Sequence, residues 1–116
     1  MKGNKLVELS MDFSVDIINL VKYLKANHET IISNQIGRSG TSIGANIHEA
    51  NYAASKADFI NKFHVALKEC GETEYWIEML VGSNTISEQI AKELLQECGV
   101  IRRMLVKSIS TAKENG

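Results

Sequence analysis

The segment GRSGTSIG, residues 37–44, interleaves glycines with hydroxyl side chains, a pattern that can cradle a phosphate or expose a nucleophile. A phosphate loop needs Lys and then Ser or Thr directly after its last glycine, to hold the terminal phosphates and their cation. Here Gly44 is followed by Ala45 and Asn46, so the cradle fails. A nucleophile elbow needs Gly-x-Ser-x-Gly, whereas Ser39 has Gly40 directly after it and Thr41 in the place of the second glycine. HEANY, residues 48–52, begins like a zinc-protease motif, but Tyr52 stands where the second histidine ligand belongs. Helix bundles can hold dimetal centres through inward Glu-x-x-His pairs, and this chain contains none. His28 and His64 have no partner at ligand spacing, and they read as partly exposed polar residues. In ECGETEYWIEML, residues 69–80, four glutamates surround the single tryptophan. Paired carboxylates can do acid/base work. Glu74 and Glu78 stand at an ordinary exposed i,i+4 spacing, however, and the stretch reads as a solvated acidic face. No constellation for catalysis, metal, cofactor or small-molecule substrate survives, so the expectation is a non-enzymatic protein.

The elements that carry these residues follow from composition and period. A chain of 116 residues with 44% hydrophobic and 23% charged side chains can bury one core without disulfides or metal, so a single domain over 1–116 is expected. Glu8, Asp12 and Asp16 interrupt the N-terminal stretch before a signal-peptide core could form, which predicts a cytoplasmic location with Cys70 and Cys98 reduced. Both cysteines fall on apolar stripes and read as small core residues. No uncharged apolar run reaches the roughly 18 residues of a membrane span, so no membrane partner is expected.

Leu6, Leu9, Phe13, Ile17, Leu20 and Leu24 recur at helical steps and predict a first helix over about 5–26. Val7, Met11, Ile18 and Val21 form a second apolar row beside them. Ile36, Gly40, Ile43, Ile47 and Ala50 predict a second helix over about 34–54 that contains the glycines. Ser55 with Asp58 resembles a capping box and opens a third helix, 56–81, seamed by Phe59, Phe63, Ala66, Cys70, Thr73, Ile77 and Leu80 and ended by Gly82. Thr85 with Glu88 is the capping box expected to open the fourth, 86–113. Its stripe is Ile90, Leu94, Cys98, Ile101, Leu105 and Ala112, with Leu95, Val106 and Ile109 alongside. Short connections between four helices predict an all-α, antiparallel up-down-up-down four-helix bundle.

A glycine inside a helix costs about 1 kcal/mol relative to alanine, so Gly37, Gly40 and Gly44 need a compensating role. Close approach of another helix supplies it. Gly40→Leu should then overpack by about 1–3 kcal/mol, while Gly40→Ala on an exposed helix would stabilise by about 1 kcal/mol. Tyr75 and Trp76 lie at the edge of the third helix's seam and read as helix or subunit contacts.

RSGTSIGANIHEA in the second helix, followed by ALKECGETEYWIEML in the third, resembles the bacterial four helix bundle protein family. Its first members were the proteins encoded by intervening sequences within 23S ribosomal RNA genes. A more distant relative is the accessory variability determinant of diversity-generating retroelements. The resemblance spans nearly the whole chain and implies an antiparallel four-helix subunit, a homopentameric ring and no known catalytic activity. The retroelement relative is strongly basic and works on nucleic acid, and the net charge of −1 here departs from that pattern. Only residues 101–113 concentrate cations, with Arg102, Arg103, Lys107 and Lys113 against no acid. They are the candidate nucleic-acid contacts, for RNA or DNA, set against a plainer role in complementing the helix dipole. The expected function is an oligomeric bundle that binds a macromolecular partner, with RNA or a ribonucleoprotein as candidates. The alternative is a purely structural assembly without nucleic-acid affinity.

Overall fold

The computed structural model describes residues 2–115, with side chains from Lys5 onward. The four helices are α1 Lys2–Ala26, α2 Ile31–Ala50, α3 Lys56–Gly82 and α4 Glu88–Glu114, and there is no strand among the described residues. Each helix packs on its neighbours in sequence, and α1 also meets α4, while the diagonal pairs keep their backbones apart. The result is a square up-down-up-down bundle measuring 47 × 21 × 21 Å. Helices of 27 residues at about 1.5 Å per residue account for its length.

The apolar period explains the interior. Phe13, Ile17 and Leu24 from α1, Ile36 and Ile43 from α2, Ile77 and Leu80 from α3, and Ile101 and Leu105 from α4 are all buried. Burial of such side chains contributes about 1.5–3 kcal/mol each and outweighs the weak intrinsic preference of Ile for helix. Four expected core positions differ, with Phe59 and Ala112 only half-buried. Ile90 is exposed while Ala91 beside it is buried, and Leu9 is only half-buried on the α1–α4 seam. Cys70 and Cys98 are buried free thiols, and the Cys98 thiol donates to the Cys70 carbonyl at 3.7 Å. Its hydrogen bond to Cys70 and then its burial push the Cys98 thiol up, which keeps it protonated.

Helix ends are where local chemistry overrides the periodicity. The second helix begins three residues earlier than expected, because Glu29 accepts from the Ile32 amide at 2.8 Å and satisfies one donor of the first turn. It also ends four residues earlier. The amides of Asn51, Tyr52 and Ala53 bond to the carbonyls of His48, Glu49 and Ala50, three residues back, which tightens the chain out of α geometry. Ser55 does cap α3, accepting from the Asp58 amide at 3.1 Å, and the Asp58 carboxylate accepts from the Ala54 amide. Gly82 does not terminate α3. Asn84 does, at φ 60°, with its amide on Val81 O and the Thr85 amide on Leu80 O, a Schellman closure. Thr85 is thereby used to close α3, and Ser87, not Thr85, caps α4 by accepting from the Ile90 amide at 3.1 Å. His28, at φ 65°, closes α1 in the same way, with its amide on Lys25 O and the Glu29 amide on Leu24 O.

Candidate functional site

The face of α2 that carries the glycines is pressed against α1. A Cβ placed on Gly40 would stand 2.8 Å from Ile17 Cγ1 and 2.9 Å from Cγ2; on Gly37 it would stand 3.2 Å from Val21 Cγ2. At Gly44 it would meet Ser14 Oγ at 3.2 Å and the Ser10 carbonyl at 3.3 Å. The absent side chains let α1 and α2 approach closely, and Ile17 fills the space over Gly40. The hydroxyls that looked like chemistry are turned to their own backbone or to each other. Thr41 donates to Gly37 O at 2.7 Å, Ser42 to Arg38 O at 2.6 Å and Ser14 to Ser10 O at 2.8 Å. Ser39 accepts from Thr73 Oγ1 at 2.8 Å, and both side chains are buried.

The acidic stretch on α3 is paired, not simply solvated. Arg38 on α2 bonds Glu69 at 3.3 Å and Glu72 more closely still, and Glu72 also accepts from Trp76 Nε1 at 3.2 Å. The hydrogen bonds from Arg38 and Trp76 hold the Glu72 carboxyl below the usual carboxylate range. Glu74 accepts from Arg102 Nε at 3.2 Å across the α3–α4 seam. Sequence reasoning passed over Arg38, although its acceptors lie three residues apart on one turn of α3 and could have signalled a shared cation.

Among the four candidate nucleic-acid cations, Arg102 is therefore committed in part to Glu74. Arg103, Lys107 and Lys113 are exposed. Arg103 lies over Gly99, where an added Cβ would meet its Nη1 at 3.2 Å. Tyr75 is exposed and stands edge-on to the half-buried Trp76, with ring centroids 5.1 Å apart. His48 is exposed, 5.6 Å from the Tyr52 ring. Among the described residues no three His, Cys, Asp or Glu side chains converge as a metal site, and no helix is long and apolar enough to cross a membrane.

On the α1–α4 seam Glu97 faces Asp16, with Glu93 and Asp12 nearby. Desolvation, the hydrogen bond with Asp16 and repulsion from Asp16, Glu93 and Asp12 push its carboxyl up from 4.5 to about 7. Folded Glu97 thus retains a proton that the unfolded chain releases between those values. Stability should fall as pH rises through that window and level off above it. Screening at this partly exposed site limits the loss to about 1 kcal/mol. In urea denaturation at pH 5 and pH 8, Glu97→Gln is expected to abolish this part of the slope and exceed the parent's stability at pH 8. An unchanged slope would remove Glu97 as its source.

Two comparisons with known proteins bear on this arrangement. The family model described as 23S rRNA-intervening sequence protein matches residues 2–107. The chain belongs to this family. A solved structure from Bacteroides thetaiotaomicron, a protein of unknown function from the S23 ribosomal protein family, agrees with the intervening-sequence-protein fold seen here. It has a TM-score of 0.92 and 45% identity, over 95% of this chain and 99% of that one. No curated protein matches. The match to the intervening-sequence-protein model takes in the α1–α2 glycine contact, the Arg38 pairs and the α4 cations up to Lys107, leaving Lys113 outside it.

Proposed function

We propose that this member of the intervening-sequence protein family is a non-enzymatic subunit of a cytoplasmic homo-oligomer, and that the assembly binds a macromolecular partner, RNA or a ribonucleoprotein. Five subunits is the number that the family resemblance implies. The observation that carries the reading is apolar surface left outside a closed core: Met11, Val15 and Ile18 on α1, Tyr75 and Met79 on α3, and Val100 and Val106 on α4 are exposed. Apolar side chains grouped on neighbouring turns mark interfaces more often than solvent-facing surface. RNA as the partner rests on Arg103, Lys107 and Lys113 and on the ribosomal RNA in the family's name. A ring would repeat that small cationic group and raise its avidity without a new contact.

The second reading, a structural assembly without nucleic-acid affinity, is favoured by the Arg102–Glu74 pair and by a net charge of −1. Fluorescence anisotropy on structured RNA and duplex DNA separates the two. If the α4 cations hold phosphates, affinity falls steeply with salt, with log K dropping by roughly 0.7–0.9 per phosphate contacted for each unit of log salt. Arg103→Gln with Lys107→Gln and Lys113→Gln should then weaken binding and flatten that slope at unchanged helicity. Absence of binding by the parent at low salt would establish the structural reading instead.

A further inference from the structure

We infer, resting on the RNA-binding reading above, that the end of the bundle where α1 and α3 begin takes an unpaired base of a single RNA strand. The base enters a cleft among all four helices, and lysines around the cleft hold the flanking phosphates.

The net charge of −1 conceals a rod that is polar along its length. Antiparallel order puts the starts of α1 and α3 at one end together with the finishes of α2 and α4. Gly44 beside Ser10 and Ser14, Thr73 on Ser39 and Cys98 on Cys70 fix which residues are level. Cut across at mid-length, one half holds residues 2–14, 43–69 and 100–115, with nine Lys and Arg against six Asp and Glu. The other half holds four against eight. At the positive end two of the acids are already engaged: Asp58 accepts from the Ala54 amide, and Glu49 pairs with Lys62 at 3.2 Å. Lys5, Lys56, Lys107 and Lys113 are exposed there, with no salt-bridge partner among the described residues. Such cations meet phosphates of any sequence.

The same end holds a cleft of about 200 Å³ to which every helix contributes. Leu6, Ile47, Phe59, Phe63 and Met104 make its apolar walls, and Asn51 and Ser108 bring an amide and a hydroxyl. About 150 Å³ already admits one six-membered aromatic ring, so the space suits a single nucleobase. The lining also matches one. A base has apolar faces and a polar edge; Phe59 and Phe63, with ring centroids 4.4 Å apart, supply aromatic surface for the faces. The Asn51 amide and the Ser108 hydroxyl each donate and accept, so together they serve the edge of more than one base type. Asn51 is itself exposed, which opens the cleft to solvent. The next residue, Tyr52, is 78% exposed with its ring 5.6 Å from that of His48, and it offers a stacking surface beside the mouth for the neighbouring base. In a duplex the faces are stacked and the edges paired, so only an unpaired base can enter.

The test is fluorescence anisotropy of the full chain with three labelled probes: a single-stranded RNA of mixed sequence, the same sequence as a blunt duplex, and the same strand made abasic. The parent should bind the intact strand about tenfold more tightly than either control. Ser108→Leu fills the cleft without changing charge. It should lower affinity for the intact strand by about tenfold and leave the salt slope as it is in the parent, because no phosphate contact is lost. Lys5→Gln with Lys56→Gln should do the opposite, flattening the salt slope while the preference for the intact strand remains. Circular dichroism checks that helicity is kept, and should Ser108→Leu lose it, Asn51→Ala at the exposed rim takes its place. Equal affinity of the parent for the intact strand and either control, or a cleft variant that binds as the parent does, overturns the base cleft and leaves the RNA reading intact. A parent that binds none of the three probes at low salt overturns both.

Discussion

Gly40→Leu should be the most damaging single change in the bundle. The existing contact has no slack: even the first carbon of a side chain would stand 2.8 Å from Ile17 Cγ1, and Ile17 is itself fully buried. A β-branched isoleucine held in a helix has one strongly preferred rotamer, so it cannot swing aside. Leucine adds three more carbons to that clash. The result should be α1 pushed off α2, at a cost at or above the upper end of the roughly 1–3 kcal/mol typical of overpacking. Gly40→Ala tests the same contact more finely. Helix propensity alone favours alanine by about 1 kcal/mol, yet the clash with Ile17 reverses the sign, so a loss of about 1–2 kcal/mol is expected. Pairing Gly40→Ala with Ile17→Val should recover part of that loss, because neighbours that share a space are not additive. Urea denaturation at one fixed protein concentration reads all three, which keeps the contribution of assembly constant. Gly40→Ala that melts above the parent would mean that α1 and α2 are not held together there.

The second large effect is expected at the hydroxyl pair between α2 and α3. Thr73 Oγ1 donates to Ser39 Oγ at 2.8 Å, and neither residue is exposed. Thr73→Val keeps the shape and removes the donor, which leaves a buried acceptor short of a partner at a cost of about 1–3 kcal/mol. Removing both hydroxyls, Ser39→Ala with Thr73→Val, should come back close to the parent, since no stranded polar atom remains. The pair also fixes register, as it bonds only when Ser39 is level with Thr73. A double variant as unstable as the sum of the two singles would show that the hydroxyls act separately.

These two sites also show what could be read before the structure. Gly40 was legible as a packing position, because it falls on the same stripe as Ile36, Ile43 and Ile47 and nothing near it matched a ligand motif. The effect of alanine there was not legible. Helical period places a residue on a face but does not say how near the opposing atom lies, and Ile17 at 2.8 Å reverses the expected sign. Thr73 was legible as a seam residue, while its bond to Ser39 was not, since the pair is joined only by the α2–α3 register. The same distinction runs through the caps. Ser55 with Asp58 is a local signal and could be found, whereas Thr85 and Ser87 compete, and closure of α3 on Leu80 O settles the competition. Arg102 looked like a free cation because Glu74 is 28 residues away in sequence. Glu97 gave no signal for a related reason, as the acids that surround it come mainly from α1.

Sedimentation equilibrium of the unaltered chain across the micromolar range bears most directly on the claim that this bundle is a subunit and not a finished molecule. Exposed Met11, Val15, Ile18 and Tyr75 predict one fixed multiple of 12.9 kDa, with five the number the family resemblance implies. A single species of 12.9 kDa at every concentration would contradict it.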